Sequence, residues 1–156
     1  PAWSPGAARR AGLLVSEAEG YEYWHARLGD GLDGLSAPFA AMLRYPARVG
    51  DAKLHAARAT IAAVRTQALR ALDDVDLLVM PTTPQRAFAH TQMPPIDQAD
   101  CTALANFAGA PAFAFPVGAL GLPASVQLLA APGDDARLLA LADAIDRLAR
   151  ACGAAS

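Results

Sequence analysis

The chain has 156 residues, 54% of them hydrophobic and 18% charged, with a formal net charge of -2, which is the size of one domain and the balance of a globular protein. Its 13 basic residues are scattered and matched by 15 acids, so there is no basic stripe of the kind that binds nucleic acid. No apolar run approaches the roughly 20 residues of a membrane-spanning helix, and the start lacks the basic-then-apolar order of a signal peptide. The expectation is a cytoplasmic protein with neither a nucleic-acid nor a membrane partner.

The first predicted element is a helix over 16–28, with Ser16 as its cap and Glu17 and Glu19 in the first turn, where negative charge suits the helix dipole. GDGLDG (29–34) reads as a loop, because glycine and aspartate favour turns. A short helix over 37–44 is expected to end at Tyr45-Pro46, since the residue before proline avoids the helical region. The long helix that follows is capped by Asp51 and places Leu54, Ala57, Ile61, Val64, Ala68 and Leu72 on one face. Arg58, Arg65 and Arg70 fall on the opposite face.

The apolar run 77–80, entered through Val75 and Asp76, reads as a strand buried on both faces that stops at Pro81. Residues 81–98 carry four of the twelve prolines and read as a loop, long enough to be functional or to rest on another surface. A helix over 100–108 closes at Gly109, with Pro111 blocking its continuation. Strands over 112–117 and 124–130 are joined through Gly118, Gly121 and Pro123. A final helix is capped by Asp134, has Leu138, Leu141, Ile145, Leu148 and Cys152 as its apolar stripe, and ends at Gly153. The class is α/β, with helices packed on a small sheet. Residues 1–74 are mainly helical, and 75–156 hold the strands, the Pro-rich loop and the closing helix.

The chemistry visible in this string is sparse. The serines are Ser4, Ser16, Ser36, Ser125 and Ser156, none of them in a nucleophile-elbow setting. Cys101, His90 and Asp100 lie near one another in sequence and form the one candidate cysteine-histidine set, although a buried, inert thiol is the commoner outcome for such a cysteine. His25 and His55 are isolated on predicted helices. Metal-ligand spacing and phosphate-binding loops are absent, so no cofactor is expected. The two cysteines, Cys101 and Cys152, read as free, small apolar residues.

The stretch from Ala99 onward nevertheless has a recognisable order: Asp100-x-Thr102, Asn106 with Gly109 and Pro111-Ala112, Pro116 with Gly118, Gly121-Leu122-Pro123, Gln127, and Leu138-Leu139. In this it resembles the C-terminal part of the amidase signature family. DVDLLVMPTTPQRAF upstream is similar to that family's strand and Pro-Thr loop, and the helical run 11–72 sits where the family has helices. The resemblance implies part of the amidase signature fold, helices on a mixed sheet that is incomplete within 1–156. It also implies hydrolysis of small amides by a larger enzyme whose N-terminal half is this chain's partner. On the same ground Asp100, Thr102 and Asn106 are candidate substrate-binding residues. Each has a plainer reading: Asp100 also sits where a helix cap is wanted, and Gln127 reads as a buried amide tying two loops together.

Ser125 departs from the family, which usually has glycine there. The larger departure concerns the Ser-Ser-Lys catalytic set that the resemblance implies, with its serines in or just after a Gly/Ser-rich stretch. No such stretch occurs in these residues, and Lys53, the one lysine, falls on the long helix. The leading expectation is therefore a fragment of an amidase that is inactive alone and self-associates through uncovered apolar surface. The alternatives are a stand-alone binding or structural module and a thiol hydrolase using Cys101 and His90.

Overall fold

The structure is a computed structural model that describes residues 4–117, 122 and 124–153, the last three through their backbone. Gly118, Gly121, Pro123, Ser156 and the side chain of Cys152 lie outside the described residues. The chain divides into two compact units, Pro1–Val64 and Arg65–Ser156.

The first unit holds α1 (Pro5–Leu28), α2 (Ala37–Leu43), α3 (Tyr45–Val49) and most of α4 (Asp51–Ala71). The helix expected from Ser16 starts at Pro5 instead. The proline ring sits in the first turn, where its missing N–H costs no bond, and Ser4 precedes it in extended conformation. The alanine-rich run that follows propagates the helix well. Ser16 is consequently an exposed mid-helix residue, and Glu17 is buried rather than placed in the first turn.

Loop 29–34 forms as expected. Within it Leu32 adopts φ 53, a left-handed backbone that disfavours a branched side chain. Two features hold it there. Arg44 Nη2 donates to the carbonyls of Asp30 at 3.0 Å and Gly31 at 2.9 Å. The Leu32 side chain, 2% exposed, packs with Ala40 and Leu43 beneath Trp24 and Phe39. Gly20 marks how closely α1 passes this cluster, since a Cβ there would lie 2.9 Å from Leu43 Cδ2.

Tyr45-Pro46 opens a helix instead of ending one. Arg44 keeps helical angles, and Pro46 falls in the first turn of α3, where proline is tolerated. Asp51 is the first residue of α4 and not its cap: the Gly50 carbonyl accepts from Lys53 N–H at 3.2 Å and Leu54 N–H at 3.4 Å. As expected, α4 buries Ala57, Val64 and Ala68 and exposes Arg58, Arg65 and Arg70.

Glu17, 6% exposed, gives this unit a pH signature. Burial raises its carboxyl above the ordinary 4.5, because desolvation penalises the charged form. The folded state therefore holds the proton more tightly than the unfolded chain does. The associated stability is fully present below about pH 4.5 and is lost as pH rises through the folded value. Glu17→Gln, neutral throughout, is expected to melt higher than the parent chain at pH 7, and the difference is expected to vanish below pH 4.5. Melting curves of the two proteins across pH check this; a pH-independent difference would contradict it.

The second unit contains β1 (Leu78–Pro81), α5 (Ala103–Ala108), β2 (Ala112–Val117), β3 (Ala124–Leu129) and α6 (Asp135–Gly153). The sheet order is β1-β3-β2, and both pairs are antiparallel. Leu78, Leu129 and Ala112 lie side by side on one face, and Val79, Leu128 and Phe113 on the other. Leu128 joins Ala130 and Leu138 of α6 in a core against which Leu77, Phe113, Phe115, Leu141 and Ile145 pack. The Asp134 carbonyl accepts from Leu138 N–H at 2.9 Å, so Asp134 occupies the expected cap position.

The strand expected over 75–80 is shorter and less covered than its sequence suggests. It begins at Leu78, and Val79 is 66% exposed. Only the central strand β3 approaches burial on both faces, with Leu128 at 6% and Leu129 at 0%. β1 is an edge strand, which also explains why it accommodates Pro81 at its end. The alanines of β2, Ala112 and Ala114, are likewise incompletely covered.

Candidate functional site

The turn leading into α5 is fixed from the central strand. Gln127 is 2% exposed, and its Nε2 donates to the Cys101 carbonyl at 3.0 Å. A buried amide needs a partner, and this one pins residues 97–102 against β3, the tying role expected of it. Asp100 N–H donates to the Asp97 carbonyl at 2.9 Å and Ala103 N–H to the Ala99 carbonyl at 3.0 Å, forming a turn ahead of the helix. Thr102, not Asp100, occupies the N-cap position of α5, so the helix is shorter than the expected 100–108. At its far end Gly109 takes left-handed angles, φ 63 and ψ 38, and turns the chain toward Pro111 and β2.

Asp100, Thr102 and Asn106 thus share one short segment. Asp100 and Thr102 are half-buried, and Asn106 is exposed. Thr102 Oγ1 donates to the Ala99 carbonyl at 3.5 Å, and Asn106 Nδ2 to the Thr102 carbonyl at 3.4 Å. Both bonds are long, leaving the threonine oxygen and the asparagine carbonyl oxygen with acceptor capacity.

The cysteine-histidine alternative meets an electrostatic obstacle. Burial pushes the Cys101 thiol up from its ordinary value, and the charges of Asp100 and Asp97 push it further the same way. A nucleophilic cysteine needs the opposite environment. His90 is exposed, and among the described residues no group of three or more His, Cys, Asp or Glu side chains could hold a metal.

Ser125, the departure from the family pattern, acts as a clamp. Its hydroxyl donates to the Phe115 carbonyl at 3.1 Å, so in the 2.8 Å contact with Thr82 Oγ1 Thr82 is the donor. Thr82 N–H also donates to the Ser125 carbonyl at 2.9 Å. One serine thereby links β2, β3 and the segment leaving β1. Beyond it, residues of the 81–87 segment with Ala124 and Ser125 line a cavity of about 270 Å3. Sequence reasoning assigned no role to Gln85 or Arg86 on its wall; the only signal was their place in the Pro-Thr loop.

Comparison with known proteins extends this picture. The Amidase family model matches residues 33–139. A glutamyl-tRNA(Gln) amidotransferase subunit from Thermus thermophilus is 41% identical over 88 residues, 53% of this chain and 19% of that protein. The corresponding subunit from Cereibacter sphaeroides is 31% identical over 176 aligned positions, 96% of this chain and 36% of that protein. Among solved structures, a bacterial aryl acylamidase of the amidase signature family superposes with a TM-score of 0.68 at 17% identity, over 89% of this chain and 33% of that one. The chain spans between about a fifth and a third of the length of these relatives. With more than half of its residues inside the Amidase match, the chain belongs to the amidase signature family.

Proposed function

We propose that the chain is the C-terminal part of an amidase, contributing scaffold and one wall of the substrate pocket to an enzyme that hydrolyses amide C–N bonds. The observation that carries this reading is the family match over residues 33–139 in a chain that covers only about a third of its structural neighbours. The reaction centre comes from elsewhere: Lys53 is exposed in the first turn of α4, and no Gly/Ser-rich stretch accompanies it. On this reading the partner is the N-terminal portion of the same amidase, and the substrate is a small amide held near Asp100, Thr102 and Asn106.

The uncovered strands support that partner. Val79, Ala112 and Ala114 are incompletely covered on a three-stranded sheet whose edges, β1 and β2, are open among the described residues. Open edges and apolar faces promote association. The isolated chain is expected to self-associate in light-scattering measurements. Co-expressed with the N-terminal portion of an amidotransferase relative, it is expected to form a complex that releases ammonia from amides. In that complex Asp100→Ala is expected to raise KM about tenfold, the weight of one hydrogen bond to substrate, with little change in melting temperature. A monodisperse monomer that ignores the N-terminal portion would overturn the reading in favour of a stand-alone module.

A further inference from the structure

We propose that β2 is a self-pairing edge, through which two copies of the chain dimerise about a two-fold axis by joining their sheets. Such a dimer needs only the open edge, so it stands independently of the amidase reading and gives the self-association expected of the chain a definite form.

The bonds already made fix which backbone groups face outward. Ala130 N–H donates to the Pro111 carbonyl at 3.1 Å, and Thr82 N–H to the Ser125 carbonyl at 2.9 Å. Hydrogen-bonded positions alternate along an antiparallel pair. The register therefore turns Phe113, Phe115 and Val117 toward β3 and leaves the N–H and C=O groups of Ala112, Ala114 and Pro116 facing away from the sheet. On β1 the same alternation leaves Val79 and Pro81 outward. Proline has no N–H to give, so within the strands β1 offers an outward N–H from Val79 alone, whereas β2 offers those of Ala112 and Ala114.

The β2 edge also complements itself. When two copies pair antiparallel with Ala112 opposite the partner's Ala114, each such pair exchanges both hydrogen bonds, and the two-fold axis supplies the pair twice. Pro116 then comes opposite the partner's Ala110, whose N–H is already given to the Ala105 carbonyl of its own chain at 3.0 Å, so no N–H is stranded where the ladder stops. The side chains suit this approach. Ala112 and Ala114 are exposed and small, and β2 carries no charged residue, the usual guard of an open edge. On the other face Phe113 meets its own copy at the axis, in a close cross-strand position where aromatic pairs are stabilising. The same register brings the partner's Phe115 beside Pro111, next to a cavity of about 200 Å3 lined by Pro111, Phe113, Leu138 and Leu139, with Asp135 as its one charged residue.

Sedimentation equilibrium on the 156-residue chain is expected to show a species of twice the 16.1 kDa chain mass, growing with concentration. Ala114→Pro keeps the pairing with β3, because the lost N–H points outward. It should raise the dissociation constant at least about tenfold, since two-fold symmetry turns one substitution into the loss of two bonds. Ala112→Lys, which leaves the backbone unaltered, should weaken the dimer through its charge, while Val79→Lys on the other edge should leave it unchanged. In hydrogen exchange, the Ala112 and Ala114 amides should be slow in the dimer and fast after dilution, and those of Phe113 and Phe115 slow throughout. The proposal is overturned if the chain stays monomeric or passes to larger species with no dimer, if Ala114→Pro and Ala112→Lys dimerise as tightly as the parent chain, or if the two alanine amides exchange freely in the dimer. It also falls if these variants lose only the co-expressed N-terminal portion of an amidase and still self-associate, since the edge then belongs to that portion.

Discussion

Purified alone, the chain is expected to release no ammonia from simple amides above the buffer rate. The settings of three of its described serines are ordinary structural ones. The Ser125 hydroxyl is engaged with Phe115 and Thr82, Ser16 faces solvent in the middle of α1, and Ser36 precedes α2. Lys53 is exposed on α4, a different setting from that of a catalytic base, which must meet its nucleophile within hydrogen-bond reach. Loss of nucleophile and base from a working triad costs on the order of a millionfold in rate, which places turnover below detection. The control is Cys101→Ala. Ammonia release that this substitution abolishes would establish a thiol hydrolase and defeat the prediction.

The second large effect is on stability. Leu129→Ala is expected to cost about 3–5 kcal/mol, the range for a fully buried leucine whose surroundings cannot collapse into the gap. Leu129 is 0% exposed, and it sits on the central strand between Leu78 and Ala112. Val79→Ala, one position along the neighbouring strand from Leu78, is expected to cost no more than about 0.5 kcal/mol, because Val79 already stands in water. Urea unfolding of the three proteins measures both. Comparable losses for the two substitutions would mean that the Val79 side chain, at the edge of the face on which α6 packs, is covered in the isolated chain.

The elements that the sequence made legible are those with local causes. Residues 112–117 and the start of α6 were readable because alternation and a cap residue are encoded within a few positions. The motif order from Asp100 to Leu139 pointed to the family for the same reason, since its glycines and prolines constrain their own backbone. The misreadings arose where context overrides propensity. Serine at 16 and proline at 46 each have a local meaning, but Pro5 starts α1 earlier and Arg44 keeps the chain helical through Tyr45. The apolar run 77–80 looks like a strand covered on both faces, yet coverage depends on neighbours that sequence periodicity does not specify. Asp100 was readable as a cap only while Thr102 was overlooked.

The strand order has a consequence for timing. β3 is the last strand in the described chain and the middle one in the sheet, so β1 and β2 have no hydrogen-bonded neighbour in it until residues 124–129 exist. During synthesis, the described residues ahead of that point leave the ribosome as helices and extended segments not yet paired in this sheet. Pairing β2 with β3 then closes a short connection from Val117 to Ala124, whereas bringing Leu78 to Leu129 closes about fifty residues, entropically the costlier step. The hairpin is therefore the early event and the docking of β1 the slow one. A nascent chain interrupted before residue 124 carries the helices that precede it and none of this sheet.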